Sequence, residues 1–357
     1  INIPYVSMGA NYPDVSWQKT TMKNIGLDFY LLSDRISGSF DFFRNDITRL
    51  LGYASTSPLA IYETRPINGG HYYRRGWELM VDTKNLVGEF TWDTSLTFSK
   101  TNSFWKERLP NYDYQIYQQR ENEPMSAYYY YNVTGIINTD RSNMPESQKT
   151  LQAEAQLPGC PIIEDKNKDG KIDENDVYMK DNSPAIYVGI GNTFTYKRFE
   201  FSFFMYGQFG IQKYNIAYSA AQAGPLAVDY PENSNKFAYR LWNSQTNPNG
   251  SRPGLAIGKM GALPGNAWVN ADRENASFMR MRNITLAYNL AGNILGSLQR
   301  YVRNIKVYVD AQNPFILTKF QGFDPEIYTG GGGASGGPEV NILKPALSLS
   351  ELILLFK

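Results

Sequence analysis

The sequence has few of the residues on which catalytic and metal centres usually depend. Its 357 residues include one Cys and one His. A single Cys excludes a disulfide scaffold and any cysteine-rich metal site. A single His argues against histidine-based zinc sites and against Ser-His-Asp catalysis. We therefore expect Cys160 to be an unpaired thiol and His71 to be a surface residue of a turn.

An excess of one charge and long apolar runs are also missing. The 35 Lys and Arg residues balance the 34 Asp and Glu residues, so no basic field is available for binding nucleic acid. The longest purely apolar run, Leu352–Phe356, is too short for a transmembrane helix. Because the chain starts at Ile1 with no visible signal peptide, we expect a fragment or a processed chain.

Aromatic residues and alternating polarity are abundant instead. The chain has 26 Tyr and 19 Phe, and both residue types favour β-strands. Apolar and polar residues alternate along many segments, as in strands with one apolar and one polar face. In one such segment, Phe199, Phe201 and Phe203 alternate with Glu200 and Ser202. The pattern predicts an all-β fold.

A change of phase interrupts one of these strands. Met279 and Met281 lie on one face, whereas Ile284 and the apolar residues after it lie on the other. A β-bulge near Asn283 would produce this change.

The connections between the strands differ in length at the two ends. Tight turns are predicted at 33–34, 85–88 and 197–198, whereas connections of about 30, 85 and 65 residues follow Arg44, Lys100 and Gly210. Short turns at one end and long loops at the other are typical of transmembrane β-barrels. The sequence thus predicts an antiparallel transmembrane β-barrel segment with long extracellular loops. Its lumen-facing polar residues would include Asp28, Asp93, Glu200, Arg280 and Lys306.

A calcium-type loop lies at 165–176, inside the predicted extracellular loop 101–187. Oxygen ligands at fixed spacing around a glycine, here Gly170, allow a tight turn to wrap them around a hard cation. The predicted ligands are Asp165, Asn167, Asp169, the backbone carbonyl of Lys171, Asp173 and Asp176. Asp176 stands where Glu is usual, so we expect weakened affinity. Bound Ca²⁺ would staple the loop, and the alternative is a metal-free polar turn.

Aromatic residues in the predicted loops are candidates for substrate contact, because loops carry binding functions disproportionately. We single out Trp105, Trp242 and Trp268. The run Tyr128–Tyr131 fits a strand that crosses the membrane-interface belt better than it fits a platform for sugar rings.

Several motifs, together with their order along the chain, resemble those of the SusC/RagA-type TonB-dependent outer-membrane transporters of Bacteroidota. They include "SFMRMRNITLAYNL" at Ser277–Leu290 and "INGGHYYRRGWELMVDT" at Ile67–Thr83. Further segments that fit are Asn24–Leu51, Asp165–Gly210 and Val307–Glu326. The resemblance covers nearly the whole chain.

The resemblance implies that residues 1–357 form the C-terminal part of one barrel, roughly the last ten strands of a plugged barrel of about 22. We expect the plug domain to lie outside residues 1–357. The implied function is TonB-dependent import of glycans or oligopeptides across the outer membrane of a Gram-negative cell, without enzymatic activity. The implied partners are a SusD-type surface lipoprotein, membrane lipid and, through the N-terminal part, the TonB complex.

Two other functions remain open at this point. A secreted, calcium-stabilised β-sandwich that binds glycans would also show alternating strands. A glycoside hydrolase would need a pair of carboxyl groups at a set separation, and no such pair can be assigned from the sequence.

Overall fold

The structure is a computed structural model that describes residues 15–55, 64–110, 114–118, 122–215, 240–254, 263–266, 268–291, 296, 302–322, 324–326, 347–348 and 353–356. Regular structure in these residues consists of β-strands and short 3₁₀ turns, so the all-β prediction is confirmed. Among them, no helix has the length and apolar character required for crossing a membrane.

A single antiparallel sheet of ten strands organises the described chain. Its long strands are β1 (Lys19–Leu31), β2 (Ile36–Ser55), β3 (Thr64–Leu86), β4 (Phe90–Glu107), β9 (Ile186–Tyr196), β10 (Phe199–Phe209), β14 (Phe278–Ala291) and β15 (Val302–Thr318). Two short strands, β16 (Leu347–Ser348) and β17 (Ile353–Phe356), both pair with β15. The long strands follow one another in chain order across the sheet.

Smaller elements occupy the long connections. The small sheets contain β5 (Ala127–Tyr131), β6 (Val133–Ile136), β7 (Pro161–Ile163), β8 (Tyr178–Asp181), β11 (Gln212–Tyr214), β12 (Trp268–Val269) and β13 (Arg273–Asn275). Strand β5 pairs with β8 and β12, β6 with β7, and β11 with β13. The 3₁₀ turns span Ile116–Gln118, Glu146–Thr150, Ala153–Gln156, Glu174–Asp176, Pro264–Asn266 and Asn270–Asp272.

Short turns join β1 to β2, β3 to β4 and β9 to β10 at one end of the sheet, as predicted. The predicted long loop between Arg44 and Trp77 is wrong, because β2 and β3 continue past these residues and pair as far as Ser55 and Thr64. Strand β4 also runs to Glu107, so the first residues of the predicted loop 101–187 are strand. Hydrogen bonds between the backbones of paired strands stabilise these extensions. Their sequence does not need to alternate between polar and apolar residues, because neither face of the extension has to be apolar.

The strand register separates a polar face from an apolar face. Glu200 is paired with Thr195 and Ala287, whereas the next residue, Phe201, is paired with Phe194 and Leu286. The predicted polar residues Asp28, Asp93, Glu200, Arg280 and Lys306 all fall on the polar face. Their predicted placement on one face is confirmed.

The apolar face forms an uncovered band. On β4 it runs from Phe90 to Phe98, and those eight residue steps correspond to about 26 Å at a rise of about 3.3 Å per residue. The apolar band of outer-membrane barrels is about 25 Å tall. Phe199 and Leu286 are 53% and 52% exposed. A β-sandwich would bury these side chains under a second sheet, and in the described part of the chain none covers them.

The predicted bulge is confirmed. The pairing of β14 with β15 shifts between Met281 and Asn283, and the pairing with β10 shifts opposite the same position. The extra residue restores the apolar face for the second half of β14.

Candidate binding and metal site in the long loops

The long connection after β4 folds into a small unit with its own core, which we call the loop domain (residues 114–118, 122–185 and 263–272 as far as they are described). The core contains Tyr117, Tyr131, Leu151, Ala155, Ile163, Ile172, Val177 and Leu263. Tyr131 and Val177 have no exposed surface. The long loop is therefore a packed structure that can hold side chains in fixed positions.

The calcium-type loop makes the sharp turn that its sequence predicts. Gly170 has a positive φ of 85°, a conformation that glycine adopts without strain. The Asp165 carboxylate accepts hydrogen bonds from the backbone N–H groups of Asp169 at 3.2 Å and Gly170 at 2.9 Å. The first predicted ligand is thus fixed at the centre of the turn.

The last predicted ligand closes the loop. Asp176 is fully buried, and its two carboxylate oxygens accept the N–H groups of Lys166 at 2.9 Å and Asp173 at 2.8 Å. Ile172 and Val177 anchor the same segment in the core of the loop domain. The two ends of the loop are therefore joined through Asp176.

Asn167, Asp169 and Lys171 lie on the exposed side of the turn, and Asp173 is half-buried. The Asn167 side-chain amide donates to Asp169 at 3.0 Å, and Asp169 accepts the N–H of Lys171 at 3.0 Å. In the described residues, no group of three or more His, Cys, Asp or Glu side chains is arranged to hold a metal ion. The backbone turn fits a calcium loop, while its oxygens are paired with amide groups, so Ca²⁺ binding stays a prediction.

A cavity of about 640 Å³ lies beside the loop domain and is lined by Trp242. We call it the Trp242 cavity. Polar lining comes from Arg252, Asn270 and Asn143, and Arg252 forms an ion pair with Glu274 at 3.2 Å. An aromatic wall with a few fixed polar groups is the usual lining of a ligand site.

The other two predicted tryptophans occupy different places. Trp105 lies in β4 and not in a loop, where its ring meets Tyr72 edge-on at 6.1 Å. Trp268 lies in β12, which pairs in parallel with β5 at Tyr130. Trp242 lines the Trp242 cavity and Trp105 does not, so the structure does not bring these two residues into one site. The side chain of Trp268 lies outside the described part of the chain.

An aromatic ladder next to these elements was missed by sequence reasoning. Tyr128 stacks on Tyr130 at 5.3 Å, and Tyr130 stacks on Tyr178 at 5.7 Å. The Arg273 guanidinium lies 3.5 Å from the Tyr128 ring centre. Burial lowers the pKa of Arg273 and raises the pKa of Tyr128. The i, i+2 spacing of Tyr128 and Tyr130 was the available signal, since it places both on one face of a strand.

The interpretation of Tyr128–Tyr131 as a strand in the membrane-interface belt is therefore wrong. These residues form β5, which belongs to a small sheet with β8 and β12 and not to the main sheet. Local sequence does not distinguish a strand of the main sheet from a strand of the small sheet, because the pairing partners of β5 lie far away in the chain.

The polar face of the main sheet also carries a concave site. A cavity of about 360 Å³ near the short turns is lined by Asp82, Asp93, Thr193, Ser202 and other residues of six strands. Polar groups that converge on a concave surface are expected where a barrel encloses an aqueous or plugged interior.

Comparison with known proteins finds relatives of one kind, the TonB-dependent receptors. No family model matches the chain. The chain is 27% identical to the TonB-dependent receptor SusC of Bacteroides thetaiotaomicron over 326 residues, which cover 89% of this chain and 30% of SusC. It is 25% identical to the TonB-dependent receptor P3 of Formosa agariphila over 327 residues, which cover 88% of this chain and 31% of P3. The chain thus spans about a third of the length of these curated relatives.

Solved structures show the same likeness at the level of the fold. The RagAB peptide importer in its closed-closed state aligns with a TM-score of 0.66 at 18% identity, over 89% of this chain and 34% of that chain. A structure of the RagAB peptide transporter aligns with a TM-score of 0.66 at 20% identity, over 88% and 33%. The fold class is therefore a segment of an antiparallel β-barrel.

Within that class, the sequence motifs and the curated relatives point to the same group of proteins. The likeness of the chain to the SusC/RagA-type TonB-dependent transporters is confirmed. These relatives are named as receptors and transporters.

Proposed function

We propose that this chain supplies the C-terminal barrel part of an outer-membrane, TonB-dependent importer. The observation that supports it most directly is the register of β10, which puts Phe199 and Phe201 on an uncovered apolar face and Glu200 on the opposite, polar face. Lipid would contact the first face, and the second would line the transport path.

The cargo that we propose is a glycan or an oligopeptide, captured at the long-loop end. RagAB is described as a peptide importer, and the Trp242 cavity offers an aromatic wall beside Arg252 and Asn270. Aromatic faces pack on sugar rings, and Arg and Asn side chains supply hydrogen bonds to hydroxyl or peptide groups. The proposed partners are a SusD-type surface lipoprotein and, through the part of the transporter that precedes this segment, the TonB complex.

We also propose that the loop 165–176 binds Ca²⁺ with a structural role. The residues that would hold the ion are Asp165, Asn167, Asp169, Lys171 through its carbonyl, Asp173 and Asp176. The positive φ of Gly170 and the loop closure by Asp176 support this proposal. The ion would supply positive charge among four carboxylates and thereby hold the surface of the loop domain together.

The test of the proposed membrane role uses adjacent positions on the two faces of β10. Phe201→Trp and Ser202→Trp are introduced separately into the complete protein, which is then reconstituted in bilayers that contain dibromo-phosphatidylcholine. Bromine quenches tryptophan fluorescence by contact. We expect added quenching for the residue-201 variant and none for the residue-202 variant.

A soluble β-sandwich predicts a different result. The protein would not enter bilayers, and neither variant would respond to brominated lipid. Equal quenching at the two positions would contradict the assignment of the faces. For the import role, uptake of labelled oligopeptides and labelled glycans is compared between cells with the intact gene and cells with an in-frame deletion of this segment, and unchanged uptake of both would overturn the proposal.

A further inference from the structure

Three cations lie directly opposite one another on neighbouring strands of the main sheet. The register pairs Lys23 of β1 with Arg44 of β2, and Arg44 with Arg75 of β3. Side chains paired in this way point to the same face and have Cβ atoms about 5 Å apart. We call these residues the basic row.

The basic row borders the apolar band. The adjacent row on the same face is Ile25, Phe42 and Trp77, and Lys100 of β4 is paired with Trp77. A fourth cation therefore stands next to the row, at the edge of the band. The boundary lies at the long-loop end of the strands, away from the short turns.

Like charges directly opposite one another destabilise a sheet. One acidic residue offsets part of this repulsion, since Asp46 accepts hydrogen bonds from Nε and Nη2 of Arg44 at 3.0 and 3.2 Å. In the described residues, the ion pairs include no partner for Lys23, Arg75 or Lys100. Lys23 and Arg75 are exposed, so the row retains an excess of positive charge that an external anion can neutralise.

We propose that the basic row binds the phosphate group of an anionic lipid in the bilayer leaflet at the long-loop end. The inference rests on the proposed membrane role of the apolar band. Acyl chains beside Ile25, Phe42 and Trp77 place a lipid headgroup at the height of the next row. A guanidinium and an ammonium group are the usual partners of phosphate oxygens.

Aromatic stacking holds the two arginines of the basic row in place for this role. The Arg44 guanidinium lies 4.3 Å from the Tyr73 ring centre, and that of Arg75 lies 5.1 Å from the ring centre of Phe104. The two rings stack on each other at 5.3 Å. Guanidinium groups fixed in this manner lose little side-chain freedom when a phosphate arrives.

The test measures lipid binding to the complete protein in detergent by native mass spectrometry, with dilauroyl phosphatidic acid and dilauroyl phosphatidylcholine as probes. We expect phosphatidic acid to bind more tightly. Arg75→Gln should weaken its binding about fivefold, and Lys23→Gln together with Arg75→Gln should weaken it about 25-fold. Arg74→Gln is the matched control, because Arg74 is the preceding residue of β3 and lies on the polar face.

Equal binding of the two lipids, or an equal loss in the Arg74→Gln variant, would overturn the proposal. Inorganic phosphate at the same concentration should not compete, and competition as strong as that of the lipid would identify a site for free anions instead. Bilayer insertion is measured in parallel. Insertion without headgroup preference contradicts this inference alone, whereas a failure to insert contradicts the proposed membrane role as well.

Discussion

The hydroxyl of Tyr131 lies 3.0 Å from the backbone carbonyl oxygen of Asp173, to which it donates a hydrogen bond. Tyr131 is fully buried in the core of the loop domain, and Asp173 is a predicted ligand of the calcium-type loop. Burial, together with the nearby carboxylates of Asp176 and Glu174, raises the pKa of Tyr131, so the hydroxyl keeps its proton. This bond connects the core to the loop.

Replacing Tyr131 by Phe removes this donor and leaves the ring in place. We expect the loop domain to lose about 1 kcal/mol of stability, because the Asp173 carbonyl oxygen loses one of its two hydrogen bonds and keeps only the one from the N–H of Asp176 at 3.1 Å. Hydrogen exchange of the amides in 165–176 should become faster. Tyr30→Phe is the control, because Tyr30 is 71% exposed on β1. Unchanged exchange would mean that the bond does not hold the loop.

Removal of calcium should loosen the loop domain, and Cys160 can report it. The thiol is 5% exposed and lies within the small cluster of Ile137 and Ile162. We expect EGTA to speed alkylation of Cys160, measured by peptide mass spectrometry. Asp165→Asn should have the same effect without EGTA. Asp140→Asn, outside the ligand set, should behave like the unchanged protein, and equal rates with and without EGTA would contradict the calcium role.

The pH dependence of Cys160 alkylation follows from its surroundings. Burial raises the pKa of the Cys160 thiol, and its Sγ lies 3.2 Å from the carbonyl oxygen of Glu154. The thiolate is the reactive form, so the rate in the folded protein should rise at higher pH than in the unfolded chain. The pKa of Cys160 is higher in the folded protein than in the unfolded chain. The contribution of this difference to the free energy of unfolding is therefore fully present below the pKa of the unfolded chain and is lost as the pH rises through the folded pKa. A profile that coincides with that of denatured protein would contradict this shift.

Sequence patterns predicted the strands that cross the apolar band. On β10, the alternating residues Phe199, Phe201 and Phe203 predict the apolar face of the strand. Contact with lipid or with a core requires such a continuous apolar face. Beyond the band both faces are polar, so the extensions of β2 to Ser55 and of β4 to Glu107 leave no alternating signal. Trp105 was assigned to a loop for that reason.

The candidate binding sites are harder to predict from sequence than the strands, because most of them depend on which strands pair with each other. The turn at Gly170 was predictable because its ligand spacing is local. The basic row was not, because it needs the register of β1, β2 and β3, in which Lys23, Arg44 and Arg75 meet. The same holds for the contact of Arg273 with Tyr128, which joins residues from two different connections.

The Trp242 cavity offers a direct test of cargo capture. Trp242→Ala removes the aromatic wall, and we expect the affinity for the transported glycan or oligopeptide to fall by about 1–3 kcal/mol. The measurement is isothermal titration of the complete protein with the cargo found in uptake assays. Trp17→Ala is the control, because Trp17 is 94% exposed and outside the cavity lining. An equal loss in both variants would exclude a specific role for Trp242.

Close packing of β10 against β14 depends on Gly207. A Cβ atom at this position would lie 2.4 Å from the backbone carbonyl oxygen of Phe278, which cannot move without disturbing the pairing of the two strands. We expect Gly207→Ala to destabilise the sheet by about 1–3 kcal/mol. At Gly191 of β9 the nearest atoms are 3.7 Å away, so Gly191→Ala should leave stability nearly unchanged. The measurement is the temperature at which the complete protein loses its folded mobility in gel electrophoresis, and equal temperatures for the two variants would contradict the close approach at Gly207.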